Sequence, residues 1–145
     1  MVYSMKDLID SVNVEEIQKY IEKKDNVKLN LKKQNLLECV KKGHEPHYDT
    51  GTSNHMTWCR YSASTLLTND FQGGEFSFVD KDNNILETFD KNKHFNKTLV
   101  FDVSNKHKVN PHYDGDRKVN LYFWECVENI KLSDDNKEWI ENNKN

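Results

Sequence analysis

The spacing of apolar and polar residues changes period along the chain, and each change marks an element. Behind Asn13, a natural N-cap, Ile17, Tyr20 and Ile21 repeat at the i, i+3, i+4 interval of one helical face, with Glu15 and Glu16 at the positive end. Asp25-Asn26 end that helix. Ser4 and Asp7 have capping-box spacing and predict a shorter helix over Met5–Ile9. From Val27 the period becomes two: Val27, Leu29 and Leu31 alternate with Lys28, Asn30 and Lys32, as in a half-buried strand. Leu36–Val40 predicts a second short strand, and Lys41–His55, with Pro46 and Gly51, a polar connection rich in turns. Arg60–Leu67, Phe76–Phe78, Ile85–Phe89, Thr98–Val103 and Val119–Trp124 predict further strands. The tightest of their turns is Asn69-Asp70-Phe71-Gln72-Gly73-Gly74, where either glycine can take a positive φ. Ser133 caps a last predicted helix carrying Trp139 and Ile140.

Short strands at near-regular spacing, with helices only at the ends, predict a mainly β fold. The expected architecture is an antiparallel, jelly-roll (cupin-like) double sheet with two helices packed outside. It forms one domain over residues 1–145, with N-terminal helices at about 4–25, a β core at about 27–127 and a C-terminal helix at about 133–142.

Composition narrows the function. The 145 residues are 35% hydrophobic and 31% charged, a balance near that of disordered chains, but 11% aromatic residues and regular periodicity favour a polar-coated globular domain. A net charge of -3 gives no basic footprint for nucleic acid or anionic membrane. No apolar run approaches the roughly 18 residues of a membrane span, and Met1–Asp10 lacks the pattern of a signal peptide. Three scattered cysteines, Cys39, Cys59 and Cys126, build neither a disulfide framework nor a thiolate cage. The expectation is a cytoplasmic protein with no nucleic-acid or membrane partner.

The candidate chemistry begins at His47-Tyr48-Asp49. In extended chain, residues i and i+2 point to one face, so this imidazole and this carboxylate can reach one ion together. One more imidazole from a distant strand completes two neutral nitrogens and one anionic oxygen, a facial triad that leaves three coordination positions open. Downstream, His107 is followed by Val109, Pro111, Gly115 and Arg117, at +2, +4, +8 and +10. Thr98-Leu99-Val100-Phe101-Asp102-Val103 leads into it. Arg60-Tyr61-Ser62 and Leu66-Leu67-Thr68-Asn69-Asp70-Phe71-Gln72-Gly73-Gly74-Glu75-Phe76 lie between the two segments. In this order, over Gly43–Trp124, these segments resemble the prolyl-4-hydroxylase-like family of Fe(II)/2-oxoglutarate dioxygenases.

That resemblance implies a double-stranded β-helix with His47, Asp49 and His107 as iron ligands. It also implies that Arg117 is the basic residue gripping the 5-carboxylate of 2-oxoglutarate through a bidentate, charge-assisted pair. The implied cofactors are Fe(II), 2-oxoglutarate and O₂, with ascorbate as a reductant. The implied reaction hydroxylates an unactivated C–H, releasing succinate and CO₂, with a prolyl residue of a peptide or protein as the leading substrate. A lysyl residue or small metabolite is an alternative substrate, and a cupin-like module binding metal or carboxylate without turnover is an alternative of another class. The chain departs from the family at Leu67-Thr68-Asn69, where many relatives carry a tyrosine whose hydroxyl supports the 5-carboxylate, and at Val119, where some have serine. Thr65, Tyr61 and Thr98 are candidate replacements for that hydroxyl. Trp58, Arg60 and Tyr113 flank the motifs and are candidates for a substrate cleft.

Other residues have plainer readings. His44 reads as a surface loop residue beside His47, His112 as pocket wall or surface, and His55 and His94 as solvated. Trp124 reads as core, Gly73-Gly74 as turn geometry, and Lys23–Lys33 as a solvated face. Cys59 has no histidine partner logic for a thiol nucleophile.

Overall fold

The computed structural model describes residues 4–50 and 56–127. Helix α1 (Val14–Asp25) starts where the sequence places it: the Asn13 side chain accepts the Glu16 amide at 3.1 Å, and Asn26 closes it in a left-handed conformation at φ 53°. The stretch before it is not helical. It is strand β1 (Lys6–Ile9), paired antiparallel with β8 (Thr98–Asp102). The expected capping box fails because its groups find distant partners. The Ser4 hydroxyl donates to Asn105, and the Met5 amide donates to the buried carboxylate of Asp102 at 2.7 Å. Two tertiary anchors outweigh a short helix with marginal intrinsic stability.

The remaining elements are β2 (Leu29–Glu38), β3 (His44–His47), β4 (Tyr61–Leu66), β5 (Gln72–Gly73), β6 (Phe76–Val79), β7 (Ile85–Phe89), α2 (Lys91–His94), β9 (Lys106–Val109), β10 (His112–Tyr113) and β11 (Lys118–Cys126). They form a five-stranded sheet in the order β1-β8-β4-β11-β2 and a four-stranded sheet in the order β3-β9-β6-β7, with a small β10-β5 pair. All named pairings are antiparallel. This is the expected double-stranded β-helix. Three boundaries differ from the sequence reading. Leu36–Glu38 continues β2 instead of starting a new strand, the polar stretch after Lys41 contains β3, and β9 forms from the polar run that carries His107. The predicted helix over 133–142 lies outside the described residues.

Alternation within each strand sets the layers. Tyr61, Ala63, Val100, Tyr122 and Trp124 face α1 and pack with Met5, Ile17 and Ile21. Trp124 is fully buried and its indole N–H donates to Gln18 at 3.0 Å. Between the sheets, Phe76, Phe78, Phe89, Leu99, Phe101 and Val109 form an aromatic core. His94 belongs to the interior, not to solvent. It is 1% exposed, with Nε2 2.9 Å from the Ser64 carbonyl, and burial lowers its pKa to about 4.

One irregularity matters for the site. In the pairing of β2 with β11, Leu31 sits opposite Trp124 and Lys33 opposite Phe123, so Lys32 is an extra, bulged residue. A bulge inverts the strand's facing pattern. Leu29 and Leu31 pack towards α1, whereas Leu37 lines the space between the sheets. Among the described residues no helix is long and apolar enough to cross a membrane.

Candidate metal centre

His47 ends β3 and His107 lies in β9, where the register sets them directly opposite each other with ring centroids 4.4 Å apart. Asp49 follows two residues after His47 and turns its carboxylate between them. Its Oδ1 is 3.1 Å from His107 Nε2 and 3.6 Å from His47 Nε2. One donor atom from each of the three residues lies within 4.8 Å of the others, a spacing one cation can span.

The surroundings fix which atoms face inward. His47 Nδ1 is 2.7 Å from the Glu45 carbonyl, and His107 Nδ1 is 3.0 Å from the Asn105 carbonyl. A carbonyl only accepts, so each Nδ1 carries a proton, and a cation at the centre would take the Nε2 lone pair in place of the Nε2 contact with Asp49. Phe76 stacks on the His107 ring at 5.2 Å and 10°, and Phe101 meets it edge-on at 4.9 Å, which locks the imidazole plane. Burial alone would raise the Asp49 pKa, but His107, His47 and Ser62 outweigh it and hold the carboxyl well below its ordinary range. His47 is raised by its hydrogen bond to Asp49, against the opposing effect of burial. With two neutral nitrogens, one anionic oxygen and tautomers set from behind, the donor set fits a divalent first-row metal.

The triad closes one end of a cavity of about 450 Å³ running between the sheets. Its walls are largely apolar, with Leu37, Val119, Leu121 and Phe123 from β2 and β11, Phe101 from β8, and Phe76 and Val109 from the facing sheet. Arg117, which is 3% exposed, also lines it. Its Nε donates to the Gly74 carbonyl at 3.0 Å and its Nη1 to Cys39 Sγ at 3.2 Å, and no carboxylate among the described residues pairs with it. A buried guanidinium without an anion is costly, so an anion entering the cavity would gain a partner there. Gly74 permits that placement. Its φ is +70°, and a Cβ there would lie 3.0 Å from Arg117 Cδ and 2.9 Å from the Phe71 ring.

Other residues named from the sequence lie elsewhere. The Tyr61 hydroxyl donates to Asp25 at 2.6 Å on the α1 side of the sheet, and Thr65 shares a 2.6 Å hydrogen bond with Thr98, whose hydroxyl donates to the Ser11 carbonyl. Strand alternation turns these three away from the cavity, so none replaces the missing tyrosine. The hydroxyls that do line it belong to Ser62 and Ser64, one residue out of phase. The polar face of Tyr61-Ser62-Ala63-Ser64-Thr65 is the signal that could have shown them. Trp58 packs beside Cys59, Val103 and Phe123 under the Lys32 ammonium. Arg60 donates to the Thr57 and Cys59 carbonyls, and Tyr113 is 59% exposed. None of these three lines the cavity. His44 does line it, from β3, while His112 is buried and packs edge-on to Phe71. Cys39 carried no sequence signal, because its contact with Arg117 spans 78 residues.

A profile of the 2OG-Fe(II) oxygenase superfamily matches residues 35–125. No curated protein matches the chain. Among solved structures, an oxidoreductase of the 2OG-Fe(II) oxygenase family from Burkholderia pseudomallei is similar, with a TM-score of 0.59 at 17% identity over 74% of this chain. This chain spans about half, 51%, of that protein's length. A Pseudomonas putida prolyl-4-hydroxylase is similar with a TM-score of 0.53 at 12% identity, covering 86% of this chain and 72% of that one. At these identities the structural likeness establishes the double-stranded β-helix, while the profile covers well over half of the sequence. On that match, the chain belongs to the 2OG-Fe(II) oxygenase superfamily.

Proposed function

We propose that the protein is an Fe(II)- and 2-oxoglutarate-dependent dioxygenase that hydroxylates an unactivated C–H, with a prolyl residue of a peptide or protein as its substrate. One observation carries this reading: a single cavity has three convergent metal donors at one end and an unpaired buried guanidinium in its wall. A keto-diacid suits both, with its keto-acid end at the metal and its far carboxylate on Arg117. Bound iron would supply O₂ activation coupled to oxidative decarboxylation, so that R–H, 2-oxoglutarate and O₂ give R–OH, succinate and CO₂. The chain's own residues do the rest. His47 and His107 hold neutral Nε2 donors inward and Asp49 supplies the anionic oxygen. Arg117 fixes the length and orientation of the cosubstrate, and the apolar walls from β2 and β11 keep bulk water from it.

The prolyl substrate draws support from the sequence resemblance and from the name of the Pseudomonas putida neighbour. The deciding experiment measures succinate release from 2-oxoglutarate with Fe(II), ascorbate and O₂, with and without prolyl peptides. Peptide-stimulated release is the expected result. A protein verified to hold iron that releases no succinate under any condition would instead be a metal- or carboxylate-binding module.

A further inference from the structure

A second, smaller space meets the triad from the other side. Its volume is about 200 Å³, and its walls are Lys33, Asn35, His47, Tyr48, Asp49, Met56 and Phe123. His47, Asp49 and Phe123 belong to both spaces, so the two meet at the candidate metal centre. Arg117 lines only the larger one. The smaller lies below the few hundred Å³ of a drug-sized ligand pocket, with room for about one amino-acid unit.

Its chemistry is specific. Lys33 and Asn35 are consecutive residues on the inner face of β2, brought there by the bulge at Lys32. Without that extra residue the strand's phase would turn both away from Phe123. Bulges recur beside active sites, where they re-aim side chains. The Lys33 ammonium and the Asn35 amide have no hydrogen-bond or ion-pair partner among the described residues, whereas neighbouring Lys32 is held by Glu125 and the Trp58 ring. Among the described residues of the wall the one acidic group is Asp49, which the candidate metal centre uses. Lys33 is exposed at the mouth of this space and Asn35 is half-buried in its wall, so an anionic oxygen group entering it would meet a solvated cation and an amide donor beside an apolar wall.

We propose that Lys33 and Asn35 bind a carboxylate of the primary substrate, so that the prolyl unit presented to the triad carries an anionic group beside it, either its own free carboxylate or that of an adjacent acidic residue. The inference rests on the oxygenase reading above. Lys33 supplies charge and Asn35 direction, and together they hold the substrate's C–H over the open side of the triad.

The test separates the two layers. Anaerobic addition of 2-oxoglutarate to the Fe(II) protein should give the visible charge-transfer band of the chelate, and failure of that band overturns the oxygenase reading itself. With the band present, succinate release is measured with L-proline, L-prolinamide, N-acetyl-L-prolinamide and N-acetyl-prolyl-aspartate amide. Stimulation by L-proline supports recognition of the prolyl unit's own carboxylate, and stimulation by the aspartyl peptide alone supports recognition of an adjacent acidic side chain. In either case the uncharged members should be at least tenfold weaker. Lys33→Gln should raise KM for the carboxylate substrate at least tenfold, leave the band and the 2-oxoglutarate KM unchanged, and be rescued by Lys33→Arg. Equal stimulation by charged and uncharged members, stimulation by none, or indifference to Lys33→Gln overturns the assignment.

Discussion

Replacing Arg117 with methionine separates cosubstrate binding from metal binding in one measurement. The side chain is 3% exposed and, among the described residues, forms hydrogen bonds only to the Gly74 carbonyl and Cys39 Sγ, so methionine fits the space while removing the charge. Hydrogen bonds to charged groups contribute about 1.5–3 kcal/mol, so 2-oxoglutarate should bind about 10- to 150-fold more weakly. The assay is thermal unfolding of the Mn(II)-loaded protein with and without 2-oxoglutarate. At 100 times the parent's dissociation constant, the ligand stabilises the parent protein by about 2.7 kcal/mol, or about 5–11 °C for a chain of this size. In the variant the same concentration is only about 0.7–10 times the dissociation constant, which leaves about 0.3–1.4 kcal/mol, between a tenth and a half of the parent's shift. Without 2-oxoglutarate the variant should be at least as stable as the parent, because an unpaired buried cation has been removed. An undiminished shift, or Mn(II) affinity falling together with it, would refute the role given to Arg117.

Asp49→Ala removes the anionic donor of the triad and should weaken Mn(II) binding, measured by titration calorimetry, by more than the 10- to 100-fold typical of losing an outer-shell partner; unchanged affinity would show that the ion sits elsewhere. Gly115→Ala should cost more than about 3 kcal/mol in urea unfolding, since at φ +145° its Cβ would lie 1.7 Å from the Asp70 carbonyl oxygen; a stable variant would mean the turn leading to Arg117 re-forms without strain. For the metal-free protein, two buried groups oppose each other between pH 4 and 6.5. Burial raises Asp102 from 3.8 to about 6, so its contribution is fully present below about pH 4 and lost as pH rises through 6; burial lowers His94 from 6.5 to about 4, so its contribution is present above 6.5 and lost as pH falls. Each is worth about 3 kcal/mol over that window, so in the parent these two contributions largely cancel. Asp102→Asn leaves His94 unopposed and should lose stability steadily on acidification, and a curve parallel to the parent's would contradict this.

The sequence shows those parts of the fold in which a single period persists. The α1 stripe, the aromatic alternation of Phe76 and Phe78, and the apolar run of β8 each stand out because neighbouring residues share one environment. The triad shows because its chemistry demands fixed residue types at short spacings. Where tertiary partners override local preference, the sequence is silent. The segment from Lys6 to Ile9 becomes a strand through anchors about a hundred residues away. His94 looks solvated among lysines and asparagines, yet it is buried, bonded to Ser64. Thr65 and Tyr61 fail as cosubstrate ligands by a single step of strand phase, which no composition or spacing reveals. The bulge at Lys32 hides Lys33 and Asn35 in the same way, because the alternation before it predicts the opposite face.

The triad is carried by β3, β9 and the chain just beyond β3, whereas Arg117 stands at the head of β11 in the other sheet. The residues proposed to hold the two ends of a keto-diacid are therefore anchored in opposite sheets, which pack roughly 10 Å apart. The sheet spacing is set by Phe76, Phe101, Val109 and their neighbours, so under the proposed binding mode the core would act as a calliper for dicarboxylate length. A keto-diacid one carbon shorter would reach one jaw or the other, and enlarging a spacer residue between the sheets would retune the preferred chain length without touching a single polar contact.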